Sequence, residues 1–487
     1  MNRELKRVAI LAMLMFVTLF VSSTIIQYFQ AENLKDDPRN SRTLYASYSV
    51  ERGPILVDGE PIAYSKPSDD RYQFQRVYAN GPLYAAVTGY LPVNGEPTGL
   101  ERSANAYLSG TSSSQFFDSL LRLVSGQDPK GASVEVTIDP VAQQAAQDAL
   151  TNAGYRGAVY LSEPSTGKIL AMYSTPGFDP NTLAVHDGEE ALGAYDALVA
   201  DPSNPLYNRA TGGNMNPPGS VFKLVLTAAA LESGKYTPES TFPNPTEFTP
   251  PGTDSVVRNT EGGNCGGGAE VTLATALRLS CNIPMAELGI ELGDDAIREQ
   301  AEKFGFNTEF DIPMGTEASV YPTEQLDDAL TALTAFGQGD VRTTPMQMAM
   351  VAGAIANGGV VMNPNVIEKI VAPDFSTLET FQGSEFGRAI SEETAKTMTE
   401  MMVNGVENGA ASNARIDGVS VAGKTGTAEN GESDPYTLWF TGFAPADDPQ
   451  YAITVVVEDG GGLGQDGYGN LVAAPVARQV LEAVLNK

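Results

Sequence analysis

Pro217-Pro218-Gly219 closes an irregular stretch, and Ser220-Val221-Phe222-Lys223 opens a mostly apolar run that stops near Ser233-Gly234. This places Ser220 at or beside a helix start, where unpaired N–H groups and the positive end of the macrodipole favour negative charge. Lys223 follows one turn later on the same face, so the pair has the form of a nucleophile with its base. The pattern alone discriminates little. Ser165-Thr166-Gly167-Lys168 matches it too, lies between two apolar alternating runs, and reads as a hairpin turn. A capping serine beside a solvated lysine would satisfy it equally.

Two further patterns follow in order. Ser280-Cys281-Asn282 sets a hydroxyl and an amide two positions apart after the helical run 273–279, although Ser103-Ala104-Asn105 has the same form. Lys424-Thr425-Gly426-Thr427 begins with the one Lys-Thr-Gly in the chain. It lies inside an expected strand, where Gly426 lets another group approach the backbone. A solvated strand lysine is the plainer reading of Lys424.

The chain around these residues has 487 positions, enough for two or three domains. It carries 30 basic and 60 acidic residues, a net charge of −30 that opposes binding to phosphate backbones, so no nucleic-acid partner is expected. His186 is the single histidine and is expected at the surface. The base serving Ser220 is therefore expected to be lysine. Two cysteines, Cys265 and Cys281, cannot build a cysteine zinc site and allow one disulfide. Neither a metal nor a cofactor is expected.

Arg3, Lys6 and Arg7 precede an uncharged stretch, residues 8–29, that as a helix would span ~33 Å, enough to cross a bilayer core. Glu32, Asp36 and Asp37 follow, which predicts residues 1–7 in the cytoplasm and everything after the anchor outside. A cleaved signal peptide is the competing reading, and Ser22-Ser23 is a poor cleavage site for it. Either reading exports the bulk of the chain, where a disulfide is chemically permitted.

Residues 30–136 alternate short apolar strands with polar turns and include a helical patch at 116–124; they read as a mixed α/β spacer or interaction module. From residue 137 the catalytic part begins. Pro140 starts a helix to Leu150, and residues 157–162 and 168–173 form a hairpin. Thr344-Pro345-Met346-Gln347 supplies an N-cap, an N1 proline and a capping glutamine for a helix to Ala356. Strands are expected at 419–429, 436–443 and 451–457, and a final helix at 472–485. Strands at both ends with helices between imply one shared sheet with the helical middle beside it.

Ser-x-x-Lys, Ser-x-Asn and Lys-Thr-Gly in this order are the motifs of the serine acyltransferases that react with penicillin. The chain resembles the class B penicillin-binding proteins, the membrane-anchored D,D-transpeptidases of peptidoglycan synthesis. Arg52-Gly53-Pro54-Ile55, Glu163 through Met172, Gly337-Gln338-Gly339 and Ala354 through Gly359 also look like that family. Asp37-Pro38-Arg39-Asn40 and the small N-terminal module resemble most the actinobacterial penicillin-binding protein A group. The resemblance implies an α+β fold: a five-stranded antiparallel sheet flanked by helices, an all-helical subdomain, and a smaller mixed α/β N-terminal module.

It also implies roles. Ser220 would attack the D-Ala–D-Ala carbonyl, with Lys223 as base. Ser280 would relay a proton to the leaving amine, and Asn282 would orient Lys223 and bind the substrate amide. Lys424 would add positive potential, Thr425 and Thr427 would hold the terminal carboxylate beside Gly426, and the N–H groups of Ser220 and Thr427 would form the oxyanion hole. Such a hole contributes ~3 to 4 kcal/mol in comparable systems. A membrane glycan polymerase of the SEDS type is the implied partner, in wall synthesis serving cell shape or division.

The same motifs occur in D,D-carboxypeptidases and β-lactamases, but no convincing Glu-x-x-Leu-Asn segment of the class A β-lactamase kind stands out. A β-lactam sensor would be expected to carry a cytoplasmic signalling domain before the anchor. If Cys281 pairs with Cys265, the bridge ties the glycine-rich segment 262–268 to the catalytic wall; two unpaired buried thiols are the alternative. The loop 459–470 reads either as a mobile lid or as a plain connection.

Overall fold

The computed structural model describes residues 2–29, 48, 50–93, 95–115, 128, 130–260 and 262–487. The expected helical patch at 116–124 and the Asp37–Asn40 segment lie outside the described residues. Helix α1 (Asn2–Thr24) continues as a π-helical turn, Ile25–Phe29. Its apolar side chains are exposed, and Leu5–Tyr28 is long and apolar enough to cross a membrane.

Strands β1 (Ile55–Val57), β2 (Glu60–Pro67), β3 (Phe74–Tyr78) and β4 (Ser133–Val136) form most of a six-stranded sheet. The remaining two strands, Ile367–Val371 and Thr377–Thr380, come from far along the chain and extend it beyond β4. A buried ion cluster holds this module together. Arg52 Nε and Arg76 Nε each reach a different oxygen of Glu101 at 2.6 Å. Burial works against the Glu101 charge, but the Arg76 and Arg52 charges outweigh it and hold the carboxyl below its usual range.

Helix α2 (Pro140–Thr151) is capped by Asp139, whose side chain accepts from Val141 N and Ala142 N. The hairpin β5 (Gly157–Ser162) and β6 (Ile169–Thr175) turns at Ser165-Thr166-Gly167, with Gly167 at φ 79°. The second Ser-x-x-Lys is thus a turn of the supporting sheet. In the helical region α3 (Lys223–Glu232), α4 (Leu273–Leu279) and α5 (Ile283–Leu292) pack beside the sheet, accompanied by a small ladder of Thr241–Pro243 with Glu270–Thr272.

Helix α6 (Pro345–Ala356) starts where Thr344 Oγ1 accepts from Gln347 N at 3.2 Å. The expected return contact from Gln347 is not made. Its amide donates to Phe304 O at 2.7 Å, and Thr344 N is taken by Ser319 Oγ at 3.2 Å. Gln347 is buried against a neighbouring segment that would otherwise have an unpaired carbonyl, so tertiary satisfaction displaces the local cap.

After α7 (Glu392–Asn408), strands β7 (Ala422–Ala428), β8 (Thr437–Ala444) and β9 (Tyr451–Val457) join β5 and β6 in an antiparallel sheet, ordered β7-β8-β9-β5-β6. Both its faces are buried, by α6 on one side and α2 with α8 (Ala473–Leu485) on the other, and its strands read as nearly continuous apolar runs. Strand β7 is left at an edge.

His186 is not at the surface. Its side chain is 10% exposed, Nδ1 contacts Asp70, and the ring lies 4.6 Å from Tyr72 and 5.7 Å from Tyr48. The polar run around it implied solvent, but two aromatic rings of the N-terminal module cover it. None of its contacts involves the motif residues.

Candidate active site

The turn before α3 is set by backbone contacts. Residues Gly219–Phe222 form one 3-10 turn that feeds the helix, so Ser220 stands in its first turn with N–H groups free of intrahelical partners. Gly219 has φ 52°, and a Cβ there would lie 2.7 Å from Thr427 O. Its N–H donates to Gly337 O at 2.9 Å, while a Cβ on Gly337 would lie 2.1 Å from Gly219 O. Trp439 Nε1 donates to Pro217 O at 3.0 Å. Gly426 faces the same turn, since a Cβ there would meet Pro218 O at 2.9 Å. The close approach expected of Gly426 is therefore that of the nucleophile turn to the edge strand β7.

Both motif lysines are buried between α3, the α4–α5 junction and β7. Lys223 Nζ donates to Ser280 O and to Asn282 Oδ1, each at 2.8 Å. Among the described residues no hydrogen bond joins it to Ser220 Oγ; such contacts often tighten only once substrate is bound. Ser280 adopts a left-handed conformation (φ 62°, ψ 37°) at the end of α4, which turns its carbonyl toward Lys223. Lys424 Nζ donates to Ser280 Oγ at 2.7 Å and to Thr425 O at 2.9 Å.

Burial, and after it the charge of Lys424, pushes the Lys223 amine well below its ordinary range. Burial brings Lys424 down to about 7. A neutral amine has two N–H donors and one lone pair. With both donors of Lys223 held by Ser280 O and Asn282 Oδ1, its lone pair is free to act as a base.

The remaining motif hydroxyls have protein partners. Thr425 Oγ1 donates to Ala410 O at 2.9 Å, whereas Thr427 Oγ1 accepts from Gly469 N at 3.2 Å and keeps its own proton for a ligand. The loop after β9 is tied down. Gln465 Nε2 donates to Glu432 O and Asp434 O at 3.1 Å, and Asn413 N donates to Asn470 Oδ1 at 2.9 Å. Cys265 and Cys281 are joined, which fastens the glycine-rich segment to the middle motif.

One supporting group was not found from the sequence. Glu458, buried at the end of β9, accepts from Arg156 Nε at 2.5 Å, Arg209 Nε at 3.1 Å, Asn214 Nδ2 at 3.2 Å and Asn216 Nδ2 at 3.3 Å. Burial opposes its charge, but Arg209 and Arg156 outweigh that and keep it ionised. It thereby anchors the strand of chain that runs into Pro217 and Ser220. An acidic residue ending an apolar strand is the one local hint, and Arg209 lies 249 positions away.

A family model for the penicillin binding protein transpeptidase domain matches residues 157–482, and one for the penicillin binding protein A dimerisation domain matches residues 52–134. The chain belongs to the penicillin-binding protein transpeptidase family. The similarity runs the whole length of this family member. Peptidoglycan D,D-transpeptidase PbpA of Mycolicibacterium smegmatis is 40% identical over 495 residues, covering 100% of each chain. PbpA of Mycobacterium tuberculosis is 40% identical over 496 residues, covering 100% of this chain and 99% of that one. The ceftriaxone acyl-enzyme of penicillin-binding protein A from M. tuberculosis superposes with a TM-score of 0.87 at 38% identity, covering 91% of this chain and 100% of that one. Its penicillin G acyl-enzyme gives 0.85 at 38% identity, covering 90% and 100%. The class B resemblance drawn from the motifs, and the fold it implied, therefore hold.

Proposed function

We propose that the chain is a class B peptidoglycan D,D-transpeptidase that acts through a Ser220 acyl-enzyme and is inactivated by β-lactams. The observation that carries this reading is the meeting of two buried lysines on one serine beside the Ser220 turn. Lys223 is 2.8 Å from Ser280 O and Lys424 is 2.7 Å from Ser280 Oγ. The relatives' name, and the acyl-enzymes formed by the M. tuberculosis protein with ceftriaxone, imipenem and penicillin G, support it.

In the proposed cycle neutral Lys223 takes the Ser220 hydroxyl proton as Oγ adds to the penultimate D-Ala carbonyl. The N–H groups of Ser220 and Thr427 receive the oxyanion; β7 is an edge strand, so its outward N–H groups have no second strand to pair with. Because Lys424 donates to Ser280 Oγ, the Ser280 proton is free to pass to the leaving D-Ala amine, and Lys223 restores it. Lys424 and the Thr427 hydroxyl hold the terminal carboxylate, with Thr425 shaping the strand through Ala410. Asn282 keeps Lys223 in place. The amine of a second stem peptide then attacks the ester, its proton returns through the same groups to Ser220, and the cross-link is released.

The proposed arrangement is a cytoplasmic tail at 1–7, a single-pass anchor at 8–29, a non-catalytic module at 30–136 and an extracytoplasmic transpeptidase domain at 137–487. A SEDS-type membrane glycan polymerase is the proposed partner, which the anchor and the family resemblance support. Mass spectrometry after incubation with penicillin G tests the chemistry. A stable adduct on the peptide containing Ser220, absent in Ser220→Ala, is expected. Rapid turnover of penicillin without a stable adduct would sink the transpeptidase reading, and undiminished labelling of Ser220→Ala would sink the enzymatic one.

A further inference from the structure

An asparagine at a helix N-cap ordinarily turns its side-chain oxygen back on the first N–H groups of its own helix. Asn282 stands at that position before α5 and makes no such bond. The N–H groups of Asn282 itself and of Ile283 are met from another segment. Asn259, 7% exposed, places Oδ1 at 2.9 Å from Asn282 N and 3.3 Å from Ile283 N, while its Nδ2 donates to Gly263 O at 3.0 Å. The preceding carbonyl, Arg258 O, accepts from Asn282 Nδ2 at 2.9 Å and so selects which end of that carboxamide turns inward. What remains is Asn282 Oδ1, and it receives Lys223 Nζ at 2.8 Å.

We propose that Asn259 is a positioning residue for the Lys223 base: by holding the N–H groups of Asn282 and Ile283, it fixes the backbone that carries the Asn282 carboxamide and keeps that carboxamide turned on the amine. The inference rests on the acyl-transfer reading above. Without Asn259, the N–H groups of Asn282 and Ile283 lose their acceptor, and the backbone turn that carries the Asn282 carboxamide is no longer pinned. The carboxamide then leaves Lys223, whose donors are held only by Ser280 O. The lone pair is no longer confined to one direction, so proton removal from Ser220 slows.

The test is the limiting rate of acylation of the full-length protein by penicillin G, measured apart from its affinity. Asn259→Ala is expected to lower that rate about tenfold or more, with a much smaller change in affinity. Asn259→Asp keeps the acceptor and should stay within about threefold on the plateau of its pH profile. In an Asn282→Ala background, Asn259→Ala should lower the rate no further, because its effect passes through Asn282. Where Asn259→Ala does not fold, Asn259→Ser, whose shorter hydroxyl falls short of the α5 amides, serves in the same cycle. Additive losses in the cycle overturn the proposal, as does an Asn259→Asp variant as slow as the alanine. A wild-type chain that penicillin fails to acylate overturns the underlying acyl-transfer reading instead.

Discussion

At the scale of single residues the site depends on two lysines kept out of water. In the proposed cycle acylation requires the unprotonated form of Lys223. Because its folded value lies well below the ordinary lysine range, the acylation rate should reach its limit far below pH 10 and fall on acidification. A rate that instead climbs steadily toward pH 10 would show Lys223 protonated at neutrality and refute its depressed value. Lys424 carries a cost with the opposite reading. Its folded value is about 7 against an unfolded value near the ordinary 10.5, so the unfolded chain binds the extra proton across that window and stability falls as pH drops through it. Lys424→Met should abolish acylation yet raise the thermal midpoint. The gain should be largest below pH 7 and fade toward pH 10; thermal scans across that range that find Lys424→Met less stable throughout would refute the cost. Neither shift was legible in the sequence. Lys223 and Lys424 were visible as candidates by spacing, but burial comes from α3, the α4–α5 junction and β7 closing around them.

At the scale of elements, close backbone contact joins the 3-10 turn, β7 and the segment at Gly337. Gly337 has a positive φ, 78°, and a Cβ on it would come within 2.1 Å of Gly219 O, so there is no room for a side chain. Gly337→Ala must displace the Ser220 turn relative to β7, and these two carry the proposed oxyanion N–H groups. A loss of about a hundredfold or more in acylation is expected, the order seen when an oxyanion donor is withdrawn. Near-normal acylation by this variant would mean that the contact does not set the turn. The helix after Ser220, the hairpin at Ser165, the α6 start and the three late strands were all legible from proline, glycine and apolar patterning. The role of Gln347 was not, because its partner, Phe304 O, belongs to another segment.

At the scale of the whole molecule, the N-terminal module is completed by the strands Ile367–Val371 and Thr377–Thr380, and its centre is the Arg52–Glu101–Arg76 cluster. Glu101→Ala leaves two guanidiniums buried without a counter-charge and should cost about 3–5 kcal/mol. Its folded carboxyl is held below the usual range, so the stabilisation it brings is present above the ordinary carboxylate pKa and is lost as pH falls through the depressed value. The gap between wild type and Glu101→Ala in denaturant titrations should therefore narrow in acid. A gap independent of pH would assign the cost to packing alone. The sequence by itself determined the order of the motifs, the long apolar N-terminal stretch, the two motif lysines as candidates in a chain with one histidine, and most element types, because these depend on local spacing and side-chain chemistry. Only the tertiary structure decided that the cysteines pair, that His186 is enclosed, that Glu458 and Asn259 support the Ser220 turn and Asn282, and that Lys223 meets Ser280 and Asn282 while Lys424 meets Ser280. Each of these is a contact between segments far apart along the chain, whose pairing depends on how sheet and helices close on one another.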